Sequence, residues 1–270
     1  MQEHGRKNRF LPARRWQDVG VRRRAGWVVG LTLAAALTGC GGGTPQTLPL
    51  CTAGSVVLTP EQTANAATIA AVGKRLGMPN HAVTVALATA FQESRLRNLD
   101  YGDRDSLGLF QQRPSQGWGS PARVRTPRLA AASFYTHLRR VPGWRSMPVT
   151  EAAQRVQRSA FPDAYAQWED AARELARALT GEVHAGLVCQ FAPAPKPGAG
   201  PALQTAALAD LGPGGLARVR TPAIAWSTAS WLVAHARSYG VSSVGLAGQR
   251  WEAKRGSWQA DTAARDLTWS

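Results

Sequence analysis

The 270 residues leave room for one or two domains and a sizeable core. A formal charge of +15 favours anionic partners. Three cysteines without a Cys-x-x-Cys pair and five scattered histidines exclude the ligand spacing of a structural zinc site, and no cofactor or metal is indicated.

Residues 1–24 are rich in arginine (Arg14, Arg15, Arg22, Arg23, Arg24), and an apolar run over 25–37 follows, ending Leu37-Thr38-Gly39-Cys40. A basic start, a short apolar run and small residues at its end have the layout of a secretory signal. The run is far shorter than the ~20 residues that cross a bilayer as a helix, which weighs against a plain anchor helix with an incidental cysteine. The last four residues resemble a bacterial lipobox. That resemblance implies a signal peptide over 1–39, a lipid on Cys40 and anchoring at the outer face of the cell membrane; the arginine pairs leave both the general and the twin-arginine export routes open. If Cys40 carries lipid, Cys51 and Cys189 remain as an even pair in an oxidising compartment, where a disulfide is expected. Residues 1–39 hold eight Arg/Lys and two acids, a surplus of six, so nine of the fifteen positive charges stay with the remainder. In an envelope these would meet anionic lipid head groups and wall polymers, not nucleic acid; a generally arginine-rich composition with no specific patch accounts for the surplus equally well.

Gly41-Gly42-Gly43-Thr44-Pro45 and the residues to Pro49 have no periodicity, and a tether is expected over 40–58. Thr59-Pro60-Glu61-Gln62 then supplies an N-cap threonine, a proline at the first helical position and a glutamine at the third. Ile69, Val72 and Leu76 recur at helical spacing, with Gly77 closing the helix. A second helix is predicted over about 81–94, with Val83, Leu87, Ala90 and Phe91 on one stripe. Thr126-Pro127 starts a third that runs to about 140, and Thr150 caps a fourth that carries Val156. Asp163 opens a fifth, with Trp168, Ala171, Leu175 and Leu179 on one face and Gly181 after it. Little alternates between these helices, so the expected fold is mainly α, with a helical domain over 59–189. An Ala/Pro/Gly-rich linker is expected over 190–204 and a small α/β unit over 205–270. That unit holds a helix over 222–239 ended by Gly240 and a hairpin over 244–251 turning at Ala247-Gly248. Trp226, Trp231, Trp251 and Trp258 are expected to form its core.

Candidate chemistry concentrates in Phe91-Gln92-Glu93-Ser94-Arg95 and in Gly102-Asp103-Arg104-Asp105-Ser106-Leu107-Gly108-Leu109-Phe110-Gln111. Helical geometry puts Glu93 at the edge of the stripe made by Ala86 and Ala90, at a helix C-terminus. Apolar neighbours desolvate a carboxylate and the negative end of the helix dipole disfavours its charge, so its pKa should rise. An acid kept protonated near neutrality can donate its proton to a glycosidic oxygen. A solvated helix-end glutamate has the same periodicity, so periodicity alone identifies no site.

Glu93-Ser94 ending a helix, followed by Ser106-Leu107-Gly108-Leu109-Phe110-Gln111, resembles the soluble lytic transglycosylases and goose-type lysozymes of the lysozyme-like superfamily. The likeness covers about 59–181; the segments 108–118, 141–144 and 156–168 are also similar to a group of secreted actinobacterial lysozyme-like proteins. The resemblance implies a lysozyme-like helical domain that cleaves peptidoglycan, with Glu93 as general acid, Ser94 hydrogen-bonding near the acid or substrate, and Gln111 contacting the muramyl sugar. Tyr165 stands where the family keeps a cleft tyrosine, although Phe161-Pro162-Asp163-Ala164-Tyr165 departs from the usual Ala-Tyr-Asn-x-Gly. Two readings stand for Trp118, a platform for a sugar face or a core residue. A hydrolase needs a second carboxylate, for which Asp103 and Asp105 are the candidates unless they form a self-paired Asp/Arg turn with Arg104. A transglycosylase needs none, because the muramyl 6-hydroxyl attacks its own anomeric carbon. The expected partner is peptidoglycan, bound by a monomer; a non-catalytic glycan-binding lipoprotein is the alternative from another class.

Overall fold

The computed structural model describes residues 48–159, 162–196, 200–217, 219 and 221–270. The leader over 1–39, the lipobox cysteine Cys40 and the first part of the expected tether lie outside these. The described residues belong to one unit, Pro45–Ser270.

Where a tether was expected up to residue 58, the chain forms two strands, β1 (Leu50–Ala53) and β2 (Val56–Leu58). They pair antiparallel, and β1 also pairs antiparallel with β3 (Val188–Gln190), placing Cys51 opposite Cys189. These two cysteines form the expected disulfide, closing a separation of 138 residues. Cys51, Ala53, Val56 and Leu58 face the core while Val57 is exposed, so the strands do alternate, over lengths too short to register as a pattern.

Helix α1 (Pro60–Arg75) begins with the anticipated capping box: Thr59 Oγ1 accepts from the Gln62 amide at 3.3 Å, and Gln62 Oε1 accepts from the Thr59 amide at 2.9 Å. Helix α2 (Asn80–Ser94) is buried on nearly every side, and it packs against α1, α4 (Pro127–Leu138), α5 (Val149–Gln157) and α6 (Glu169–Leu179). A short α3 (Pro121–Val124) precedes α4, and a 3-10 segment, Pro162–Trp168, leads into α6. Helix α5 starts two residues earlier than expected, with Pro148 rather than Thr150 at its N-cap.

The C-terminal part is α/β as anticipated. Helices α7 (Gly200–Leu211), α8 (Pro222–Ala234) and α9 (Ala236–Tyr239) are followed by a sheet of β4 (Ser243–Leu246), β5 (Gln249–Glu252), β6 (Ser257–Ala260) and β7 (Thr268–Trp269), in the order β6-β5-β4-β7. The β4–β5 turn sits at Ala247 (φ 51°) and Gly248 (φ 80°), the double positive φ of a two-residue type I′ hairpin.

The linker and the separate C-terminal unit drawn from the sequence need correcting. Helix α7 begins inside the expected linker, and one hydrophobic cluster runs from Cys51 to Ala253. Buried polar groups join the two parts. Asp210 on α7 accepts from Thr68 on α1 at 2.9 Å and from the Trp231 indole on α8 at 3.1 Å. His235 Nε2 lies 3.3 Å from the same Thr68 hydroxyl, and burial pushes the imidazole pKa down. Ser227 and Ser230 donate to the carbonyls of Leu179 and Ala178, and the Trp251 indole donates to the Cys189 carbonyl at 3.0 Å. A unit of about 60 residues buries little on its own, and these contacts extend its core into the larger one.

Closing so long a loop stabilises a fold by up to about 4–5 kcal/mol in the chain-entropy model. Replacing Cys51 and Cys189 together by serine should lower the melting temperature by on the order of 10 °C. Circular dichroism melts of both forms check this, and an unchanged midpoint would show that β1–β3 pairing holds without the bridge.

Candidate active site

The last turn of α2 is where its sheath of neighbours runs out. There the chain leaves the helix through Arg95 (φ 55°) and Leu96 (φ 60°), both left-handed, whose amides bond back to the Phe91 and Ala90 carbonyls. Side chains of α1 hold this exit: Gln62 donates to the Arg95 carbonyl and Asn65 to the Leu96 carbonyl, each at 2.8 Å. Glu93 is therefore set on a rigid element whose end is fixed from a second helix.

The Glu93 carboxylate is largely enclosed. One oxygen, Oε1, accepts from the Tyr165 hydroxyl at 2.8 Å and from Gln157 Nε2 at 3.1 Å. Burial pushes the Glu93 pKa above the ordinary carboxyl value, while the hydrogen bonds from Gln157 and Tyr165 pull it back only in part. The Tyr165 phenol is itself driven upward by burial and by the neighbouring carboxylate, so it stays a donor. The result is a carboxyl that keeps its proton to higher pH than an exposed glutamate does.

Ser94 does not turn to the acid. It is buried, and its hydroxyl donates to the Leu109 carbonyl at 2.8 Å and back to Ala90 at 3.1 Å. Its work is to tie the helix end to the 107–112 loop. That loop is pinned further by mutual amide–carbonyl bonds between Leu107 and Gln112 and by Phe110, buried and stacked on Phe134 at 4.8 Å. Gly108 (φ +76°) is required here twice over, since a side chain would also overlap the Val124 carbonyl. Gln157 closes the assembly, its amide donating to the Phe110 carbonyl at 2.8 Å as well as to Glu93.

Beside this assembly lies a groove of about 510 Å³. Gln111, Trp118 and Gln157 line it, together with His137 and four arginines, Arg113, Arg140, Arg155 and Arg158. Glu93 stands behind Gln157 and is not part of the groove wall. Gln111 has a left-handed backbone (φ 45°), and its amide donates to the Gly108 and Tyr101 carbonyls. Trp118 is half-buried and stacks on His137 at 3.9 Å, leaving it between the two roles expected of it. A second aromatic group flanks α2: Trp168 stacks on Phe91, carries the Arg95 guanidinium over its ring at 4.0 Å and donates to Gln92 at 2.8 Å.

Of the two spare carboxylates, Asp105 is occupied. Asp105 accepts from Arg113 Nε at 2.8 Å and from the Ser115 amide at 2.7 Å, and these bonds hold its pKa well below the usual carboxylate range. Asp103 is solvent-exposed, with Arg104 at 4.0 Å. The loop is self-paired in part, as the sequence suggested, although Asp105 takes Arg113 rather than Arg104.

Sequence reasoning missed Gln157 and the arginines. Gln157 lies 64 residues from Glu93 at the end of α5, and no local pattern links them. Among the described residues no three His, Cys, Asp or Glu side chains lie together as a metal site, and no helix is long and apolar enough to cross a membrane. No protein-family model matches the chain, and no curated protein matches it.

A carboxyl whose folded pKa is raised stabilises the fold fully below the unfolded pKa, and that contribution is lost as pH rises through the folded value. Gln at position 93 keeps an acceptor for Tyr165 and Gln157 but cannot ionise. Glu93→Gln should therefore match the unsubstituted chain in thermal stability near pH 4 and exceed it near pH 8. Melts at the two pH values test this; equal stability throughout would mean that Glu93 is not desolvated.

Proposed function

We propose that this chain cleaves peptidoglycan glycan strands at the β-1,4 bond between muramyl and glucosaminyl residues, as a lytic transglycosylase with Glu93 as its single catalytic carboxyl. The observation that carries the reading is a desolvated, doubly hydrogen-bonded Glu93 beside a polar groove, while Asp105 is committed to Arg113 and Asp103 is out in solvent. Protonated Glu93 gives its proton to the glycosidic oxygen as the anomeric carbon–oxygen bond breaks. The resulting carboxylate then takes the proton of the muramyl 6-hydroxyl, whose oxygen closes on the anomeric carbon to leave a 1,6-anhydro end. Tyr165 and Gln157 hold one carboxylate oxygen, which leaves the other for the proton transfers. Asp105, occupied by Arg113 and the Ser115 amide, is poorly suited to activate water, and this weighs against a hydrolytic muramidase. The lipobox-like run ending at Cys40 supports action at the outer face of the cell membrane, with the lipid as anchor.

Incubated with purified sacculi, the chain is expected to release anhydro-muropeptides, identified by their mass, and Glu93→Gln to reduce release by about a hundredfold to ten-thousandfold. No release from any wall at any pH would leave the binding-only reading; reducing-end products would establish hydrolysis instead. Tyr165→Phe removes a bond that favours the ionised acid, so the alkaline limb of the pH–rate profile should move to higher pH. An unmoved limb would mean that Tyr165 does not set the Glu93 proton.

A further inference from the structure

The groove beside Glu93 carries an uneven charge. Of its four arginines, Arg113 is matched by Asp105 and Arg155 by Glu151, each at 2.8 Å. Arg140 and Arg158 have no ion pair or side-chain hydrogen bond among the described residues, and no described acid lines the groove. Arg158 is also fixed at its backbone, in the left-handed region at the end of α5 (φ 53°), with its amide on the Gln154 carbonyl at 2.7 Å. Two uncompensated like charges brought to one concavity repel each other, and a bound anion relieves that repulsion. A guanidinium presents a planar fork of donors that matches a carboxylate in two parallel bonds. Trp118, on the same wall, supplies an aromatic face of the kind that suits a sugar ring.

We propose that this groove selects glycan strands that bear carboxylates, with Arg140 and Arg158 as the specificity-determining pair. The inference rests on the glycan-cleavage reading and names its substrate more narrowly. On a peptidoglycan strand the carboxylates belong to the peptide attached to the muramyl lactyl group, so the groove takes peptide-bearing strands in preference to neutral β-1,4 glycans. The charge is placed where a substituent of the sugar is met, not where the bond is broken.

The test uses the Glu93→Gln chain as a binding probe, so that affinity is read without turnover. Soluble glycan strands are offered intact, with their carboxylates amidated by carbodiimide and ammonia, or stripped of phosphate-linked wall polymers by hydrofluoric acid. Amidation should weaken binding by roughly tenfold at low salt, less at 0.15 M, and acid stripping should change nothing. Arg140→Gln with Arg158→Gln should abolish the preference for intact strands while leaving affinity for amidated strands and the melting temperature unchanged. Arg265→Gln, on the C-terminal segment away from the groove, should behave as the parent. Equal affinity for intact and amidated strands, or a preference that survives the double substitution, overturns the inference. Loss of binding on acid stripping also overturns it, by assigning the arginines to phosphate. Turnover by the unsubstituted chain tests the cleavage reading separately: release from intact and amidated strands at equal rates sinks carboxylate selection alone, whereas absence of release from both sinks cleavage.

Discussion

The rest of the molecule depends on the burial of α2. A helix whose side chains are apolar or, like Thr84 and Thr89, bonded back to its own backbone has no face to give to water, and here α1, α4, α5 and α6 supply the cover. Val83, Val85, Ala86, Leu87, Ala88 and Ala90 are completely enclosed, so the helix can neither rotate nor slide without opening a cavity. Its last turn carries Glu93, the carboxyl of the candidate site. Glu93 and Ser94 are the first polar side chains after that enclosed run, apart from Gln92, and their surroundings come from elements far away in sequence: Leu109 from the returning loop, Gln157 from α5 and Tyr165 from the 3-10 segment. A rigid helix thus presents one carboxyl to a pocket built from three other segments.

Charge is handled in a similarly divided way. Along the exposed helices and loops, acids are consumed locally: Glu151 by Arg155, Glu169 by Arg173 and Asp261 by Arg250. Exposed pairs of this kind contribute little to stability, but they determine where the surplus of arginine is felt. The Asp105–Arg113 pair deserves separate mention because it fixes a loop as well as a charge: the Ser115 amide shares the same carboxylate, so the segment after Gln111 is held against the loop before it. A residue that looked like a spare catalytic acid serves as a brace.

Much of the helical frame was legible in the sequence because its signals are local. Thr59, Pro60 and Gln62 mark the start of α1 through contacts within one turn, and Ala247-Gly248 marks its hairpin through backbone conformation alone. The strands β1 to β3 were hidden because each spans three or four residues and β1 meets β3 across 138 positions, and α7 was obscured by the alanine and proline around it. Thr150 has the chemistry of an N-cap, yet Pro148 takes the position because its own fixed backbone already suits the entry. At the site, helical spacing placed Glu93 at the edge of an apolar stripe, but a resemblance and not the spacing singled it out. The destination of Ser94 was not legible, since a hydroxyl at a helix end bonds to whatever carbonyl the tertiary fold brings near, and that carbonyl belongs to Leu109. Tyr165 reaches Glu93 although the residues around it depart from the pattern that suggested it, because the contact requires one phenol at the right place and not the surrounding motif.

The disulfide has a further consequence through its cover. Both sulfurs are almost completely enclosed, and the Trp251 indole is bonded to the Cys189 carbonyl from the C-terminal sheet. Thiol–disulfide exchange requires an attacking thiolate to reach a sulfur atom. For this bridge that requires the surrounding core to open first. The lifetime of the oxidised molecule in a reducing medium is then set by local opening as well as by the reductant, because only the opened fraction exposes a sulfur to attack.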